Sequence, residues 1–150
     1  MAGAYTSIRI HLMWSTKHRR PWLDPAWRPR LFAQLGAAAA SRGAELLCAG
    51  GARDHVHLYL DSPGSIAPAA LVGMLKSGSA RWIQQTFPHR RDFRWQQGWG
   101  AFSVARTSEA ALEDYIRQQE VHHREMSFSS EFVALLTQHG VAYDVRDVLE

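Results

Sequence analysis

Asp54-His55-Val56-His57-Leu58-Tyr59-Leu60 sets Val56, Leu58 and Leu60 against His55 and His57 at the two-residue period of a strand. One face of this strand, read as residues 54–61, therefore enters a core, while the other projects two imidazoles side by side. Immediately upstream, residues 45–50 read as a partner strand. Gly50-Gly51-Ala52-Arg53 joins the two as a hairpin, with glycine where a tight turn often needs positive φ. Further back, Ile8, Ile10, Leu12 and Trp14 alternate with Arg9, His11 and Met13, predicting a strand over residues 5–15 with Trp14 in the core phase.

Helical spacing fills the gaps between these strands. Asp24-Pro25 supplies a cap and a first-turn proline, and Leu31, Phe32, Leu35 and the alanines 37–40 carry a helix over residues 25–42, to Gly43. Ser65 is the expected cap of a second helix, whose Leu71, Val72, Leu75, Trp82 and Ile83 recur at helical spacing until Pro88. Residues 93–105, aromatic and interrupted by Gly98 and Gly100, read as a bent or bulged strand region. Thr107 or Ser108 then caps a third helix to about His123, with Glu109, Glu113 and Asp114 near its positive end. This order predicts an α+β ferredoxin-like sandwich, an antiparallel sheet with helices on one face, to which the third helix is added. Residues 127–150 form a tail that is expected to pack, since it carries Phe128, Phe132, Leu135, Leu136, Val141 and Val145.

The bulk composition limits the function classes. At 150 residues and 46% hydrophobic, the chain suits a single domain over 1–150. Seventeen Lys and Arg against fourteen Asp and Glu leave a net charge of +3, a mild bias toward polyanions. The single Cys48 excludes a disulfide framework and a Cys-based zinc site; it reads as a small buried residue in a reducing compartment, with the cytoplasm the expected location. No run of about 18 apolar residues occurs, so neither a signal peptide nor a membrane span is expected.

Two imidazoles on one strand face can grip a divalent metal if a third ligand comes from elsewhere. Taken alone, His55 and His57 read more readily as a pair of surface or hydrogen-bonded histidines, because so short a motif often matches by accident. The third helix adds Tyr115 and, one turn later on the same face, Gln119, with His122 on that face as well. A phenol on a rigid helix can attack a phosphodiester when a nearby cation stabilises the developing charge, and Gln119 can supply an oxygen ligand. The plainer alternative is an amphipathic helix whose Tyr115 covers the edge of the core.

His55-Val56-His57 resembles the signature of the HUH endonucleases, and Asp54-His55-Val56-His57-Leu58 is similar to the form found in single-tyrosine transposases of the IS200-like family. Three further blocks in the expected order strengthen the resemblance: Trp14-Ser15-Thr16-Lys17-His18-Arg19-Arg20-Pro21, Gly98-Trp99-Gly100-Ala101-Phe102-Ser103-Val104, and Tyr115-Ile116-Arg117-Gln118-Gln119-Glu120 with His122-His123. The ending, residues 131–150, is most similar to REP-associated tyrosine transposases. The resemblance implies that Tyr115 is a nucleophile toward single-stranded or hairpin DNA, giving a 5′-phosphotyrosine link and a free 3′-hydroxyl. It implies that His55, His57 and Gln119 hold magnesium or manganese, the imidazoles making manganese a plausible substitute. It also implies a homodimer. Val121 departs from the acidic residue relatives often carry before the paired histidines.

Lys17, Arg19 and Arg20 form the densest basic cluster, with Lys76, Arg81, Arg90, Arg91 and Arg94 adding charge later, as candidates for neutralising phosphates. Trp95, Trp99 or Phe102 can stack on unpaired bases, and His11 faces DNA or solvent. The competing function is a non-catalytic regulator that binds structured nucleic acid on the same fold, or, more remotely, a hydrolase that uses the two histidines without Tyr115. The intact set of His55, His57, Tyr115 and Gln119 favours catalysis.

Overall fold

A computed structural model describes residues 3–148. Along the chain run β1 (Arg9–Ser15), α1 (Arg28–Ala40), β2 (Glu45–Gly51), β3 (His55–Asp61), α2 (Pro68–Thr86), β4 (Gly100–Ser103), α3 (Glu109–Arg117), α4 (Gln119–His122), α5 (Phe128–Gln138) and α6 (Val145–Val148). The strands form one antiparallel sheet in the order β2-β3-β1-β4, the ferredoxin-like arrangement expected from the sequence.

Alternation along β1 and β3 divides the molecule into two layers. Ile10, Leu12 and Trp14 join Val56, Leu58 and Leu60 on one face, where α1 contributes Leu31, Leu35 and Ala39 and α2 contributes Leu71, Val72, Leu75 and Ile83. The other face is covered in two patches. Met13 and Phe102 pack with Phe128, Phe132 and Leu136 of α5, while Cys48 and Tyr59 pack with Ile116 of α3. Between these apolar clusters the histidines of β1 and β3 are enclosed.

Close backbone approach makes this second layer possible. A Cβ on Gly50 of β2 would overlap the carbonyl oxygen of Ile116, so the α3 backbone lies directly against the strand. At its far end α3 is clasped to β1 and β3: Glu109 Oε1 accepts from Arg9 Nη1 at 2.7 Å and from the Tyr59 hydroxyl at 3.0 Å.

Several local expectations change. The first strand begins at Arg9 rather than residue 5. The first helix starts at Arg28, because the Asp24 side chain accepts from the Ala26 amide and holds a separate turn. Ala67, with Pro68 behind it, takes the capping position expected of Ser65. Of residues 93–105 only Gly100–Ser103 is strand, with Trp95 making an isolated bridge to Thr16. The bulge lies in β2 instead, between Leu46 and Cys48. The third helix does not run unbroken to His123: it ends at Arg117 and resumes as α4 after Gln118. Ser108 occupies the cap position of α3 without using its hydroxyl as a cap. Of the tail read as residues 127–150, Phe128, Phe132, Leu136 and Val148 pack on the sheet, whereas Val141 and Val145, expected to pack, are exposed, and residues 149–150 lie outside the described residues. Among the described residues no helix is long and apolar enough to cross a membrane.

Candidate active site under the fifth helix

His55 and His57 project from β3 on the face that the strand period assigns to them, yet neither is exposed. Both are 0% accessible, because α5 closes over them. Glu131 of α5, 2% exposed, lies at the centre of the arrangement. Its Oε1 is 2.9 Å from His57 Nε2, 3.0 Å from His123 Nε2 and 3.7 Å from His55 Nε2, and its Oε2 accepts the Tyr115 hydroxyl proton in a hydrogen bond. Tyr115 comes from the last turns of α3 and His123 from the end of α4.

The break at Gln118 has a role in this geometry. Gln119 folds its amide back so that Nε2 donates to the Tyr115 carbonyl at 3.3 Å and Oε1 faces His55 Nε2 at 2.8 Å. Arg28, buried in α1, fixes the same segment, donating to the Gly51 carbonyl and pairing with Glu120 at 2.8 Å.

A second ring of partners holds the histidines from behind. His55 Nδ1 is 2.7 Å from Asp54 Oδ1, and His57 Nδ1 is 2.7 Å from His11 Nε2. His11 is thus not in solvent: it is buried, in contact with His57, and burial lowers its imidazole to about 3. Burial likewise lowers His57. For Glu131, burial works upward, but hydrogen bonds from His123 and His57 outweigh it and hold the carboxyl far below the usual carboxylate range. Tyr115 is pushed well above the ordinary phenol value by burial, and further by the Glu131 carboxylate beside it.

The donor set fits a cation. His55 meets an acceptor at each ring nitrogen, Asp54 Oδ1 and Gln119 Oε1, but a neutral imidazole has one proton to give. A second proton or a cation at Nε2 completes the arrangement. Ligand atoms of His55, His57, His123 and Glu131 lie within 4.8 Å of one another, close to the roughly 4.2 Å span of opposed ligands about 2.1 Å from one ion. Asp54 and His11 stand where outer partners orient imidazoles in metal sites.

The expected residues therefore meet: His55, His57, Tyr115 and Gln119 share one enclosed site. Sequence reasoning named His123 within the resemblance without giving it a role, and missed Glu131. The signal for Glu131 was available, since an acidic residue three positions after Phe128 and one before Phe132 falls on the apolar stripe of its helix.

The basic candidates separate into groups. Lys17 and Arg20 are exposed on a tight turn in which His18 and Arg19 take left-handed φ of 57° and 52°, a strained conformation for non-glycine residues. The Thr16 amide donates to the Asp54 carbonyl at 2.8 Å, which seats this turn beside the β3 entry and exposed Arg53. Arg94, also exposed, joins them through its carbonyl, which accepts from the Lys17 amide. Lys76 instead spends its ammonium on the carbonyls of Gln96, Gln97 and Gly98. Burial lowers Lys76 to about 8. Arg81 is exposed on α2, in the layer on the opposite side of the sheet from the histidines. Of the aromatic candidates, Trp95 and Phe102 are core residues and Trp99 is 36% exposed.

The family described as IS200-like transposases matches residues 4–119. The ISDra2 transposase TnpA of Deinococcus radiodurans is 27% identical over 122 residues, covering 78% of this chain and 87% of the relative. A crystal structure of a candidate transposase from the same organism superposes with a TM-score of 0.64 at 27% identity, covering 77% of this chain and 93% of the other. A REP-associated tyrosine transposase bound to a REP hairpin shares the fold over 97% of this chain and 92% of its own, with a TM-score of 0.62 at 15% identity. His123 and Glu131 lie beyond the family-matched residues.

Proposed function

The chain belongs to the IS200-like transposase family, and from that premise we propose that it cleaves and rejoins single-stranded or hairpin DNA through a covalent link to Tyr115, assisted by a divalent cation. The observation that carries this reading is the convergence of the Tyr115 hydroxyl and three imidazole nitrogens on one carboxylate, Glu131. The hairpin held by the REP-associated relative supports DNA of that form as the partner.

His55, His57 and Gln119, joined by His123 and Glu131, are the residues that would hold the cation. Three imidazoles suit manganese better than magnesium, while the oxygens of Glu131 and Gln119 suit either. When bound there, the cation neutralises the Glu131 charge and draws electron density from the scissile phosphate.

The Tyr115 hydroxyl oxygen attacks phosphorus and the bond from phosphorus to the 3′-oxygen of the preceding nucleotide breaks. Glu131 Oε2 orients the phenol, whose proton passes to water, and the departing 3′-oxygen takes a proton from water to become a free hydroxyl. The 5′-phosphate stays on Tyr115. A 3′-hydroxyl from a second DNA end then attacks that phosphate and yields its proton to water, the phosphotyrosine bond breaks, and the departing phenolate of Tyr115 takes a proton from water. Bond count is conserved, so rejoining needs no external energy source. Lys17, Arg20, Arg53 and Arg94 line the approach to β3 and would hold the DNA backbone.

Incubation with a 3′-labelled hairpin oligonucleotide and manganese, followed by denaturation, should leave label on the protein. Tyr115→Phe should abolish it; persistence of the adduct in that variant would assign the nucleophile elsewhere.

A further inference from the structure

A cavity of about 590 Å³ opens between β4, α3 and α5, and Tyr115 and Glu131 form part of its wall. Tyr115, the residue assigned as nucleophile, therefore borders this space as well as the cluster of His55, His57, His123 and Glu131. The rest of the wall is mainly apolar, with Phe102, Val104, Leu112 and Leu135, and carries the uncharged polar side chains of Ser103, Ser108 and Gln138, together with His11 and, at the rim, His122 and His139. Glu131 is the sole Asp, Glu, Lys or Arg among the described residues that line it, and its carboxylate is already engaged by His57, His123 and Tyr115.

The rim rings are arranged for stacking. The exposed His139 lies over Phe102 with centroids 4.6 Å apart and planes at 28°, and the His122 ring is 4.9 Å from that of Tyr115. A second cavity of about 430 Å³ has the opposite character, with Arg28, Arg53, Asp54 and Glu120 in its wall. Met126 belongs to both walls, so the two spaces flank the same site from different sides.

A phosphodiester within reach of Tyr115 carries a nucleoside on each side. A phosphate would find no Lys or Arg in this mainly apolar cavity, whereas a base would lose its water-exposed faces to aromatic and aliphatic walls. We infer that this cavity seats the base of the unpaired nucleotide adjoining the scissile phosphate, making it a base-binding subsite of the transposase. The inference rests on the assignment of Tyr115 as the nucleophile. It gives the wall residues of α5 a role in base preference, and α5 lies beyond the family-matched residues.

The test uses fluorescein-labelled oligothymidylate and an abasic strand with the same number of phosphates, titrated into the full chain. Oligothymidylate should bind about 5- to 100-fold more tightly, the range expected for stacking one base. Ala111 of α3 and Ala134 of α5 are exposed wall residues, so Ala111→Leu and Ala134→Leu, separately and together, fill the cavity from opposite sides. The ratio should fall toward one as it fills. A ratio of one in the unaltered chain, or an unchanged ratio in the filled variants, would overturn the inference. In the unaltered chain, replacing one thymine with 2-aminopurine adds a readout that needs no variant: its fluorescence should drop on binding, and unaltered fluorescence at every position contradicts the subsite. Adduct formation at Tyr115 is scored separately, so an active nucleophile with an unchanged ratio rejects the cavity alone.

Discussion

The Tyr115 hydroxyl donates to Glu131 Oε2 while the other oxygen of that carboxylate receives His57 and His123. One side chain thus joins the phenol to the imidazole cluster. The same residue closes the second layer, because Phe128 and Phe132 beside it pack on Met13 and Phe102.

Glu131→Gln tests that junction. The amide is a weaker ligand, so manganese affinity measured by calorimetry should fall at least about 10-fold, and Asp54→Asn, which weakens the outer partner of His55, should cost about 10–100-fold. Phenol titration by ultraviolet absorbance, taken as the difference from Tyr115→Phe, should show the Tyr115 ionisation moving down toward its ordinary value near 10 in Glu131→Gln. An unchanged metal affinity in both variants would remove the cluster from the metal site.

Acid should destabilise the metal-free protein through His11. Its folded value of about 3 lies below the unfolded value of 6.5, so the unfolded chain binds the extra proton first. Stability is present above about 6.5 and declines as pH falls toward 3, by an amount on the order of a few kcal/mol. Denaturant midpoints between pH 7 and pH 4 should fall more steeply for the natural chain than for His11→Leu. Parallel slopes would place the acid sensitivity elsewhere.

The strand period placed His55 and His57 on the right face, and the spacing from Tyr115 to Gln119 brought both residues to the site. A two-residue period is silent about what covers a face, and so the histidines read as projecting although α5 buries them. The helix break at Gln118 was illegible, since no proline or glycine marks it; it is held by the Gln119 amide and by Arg28 from a distant helix. Lys76 read as a phosphate ligand because sequence shows its charge and not the three carbonyls that it serves.

Gly50→Ala should disturb α3 directly. Its Cβ would collide with the Ile116 carbonyl, a backbone group that cannot swing aside, so a loss of about 1–3 kcal/mol and a lower yield of adduct are expected. Gly73→Ala on α2, with nothing within 4 Å, should instead gain up to about 1 kcal/mol from helix propensity. Thermal unfolding of the two variants separates packing from propensity; equal shifts would contradict the close approach.

The basic turn should be visible in salt dependence. Lys17→Ala and Arg20→Ala should each reduce the slope of log affinity against log salt by about 0.7–0.9, the change expected when one fewer phosphate is neutralised. Arg81→Ala, on the opposite layer, should leave the slope unchanged. A slope that responds to Arg81 and ignores the turn would move the DNA path to the other face.

The most direct measurement is mass spectrometry of the chain trapped with a hairpin oligonucleotide and manganese, after digestion of both protein and DNA. The account predicts one modified peptide, carrying a nucleotide 5′-phosphate on Tyr115, and a partner strand ending in a 3′-hydroxyl. A nucleotide attached to any other residue, or strand cleavage with no protein adduct, would contradict it.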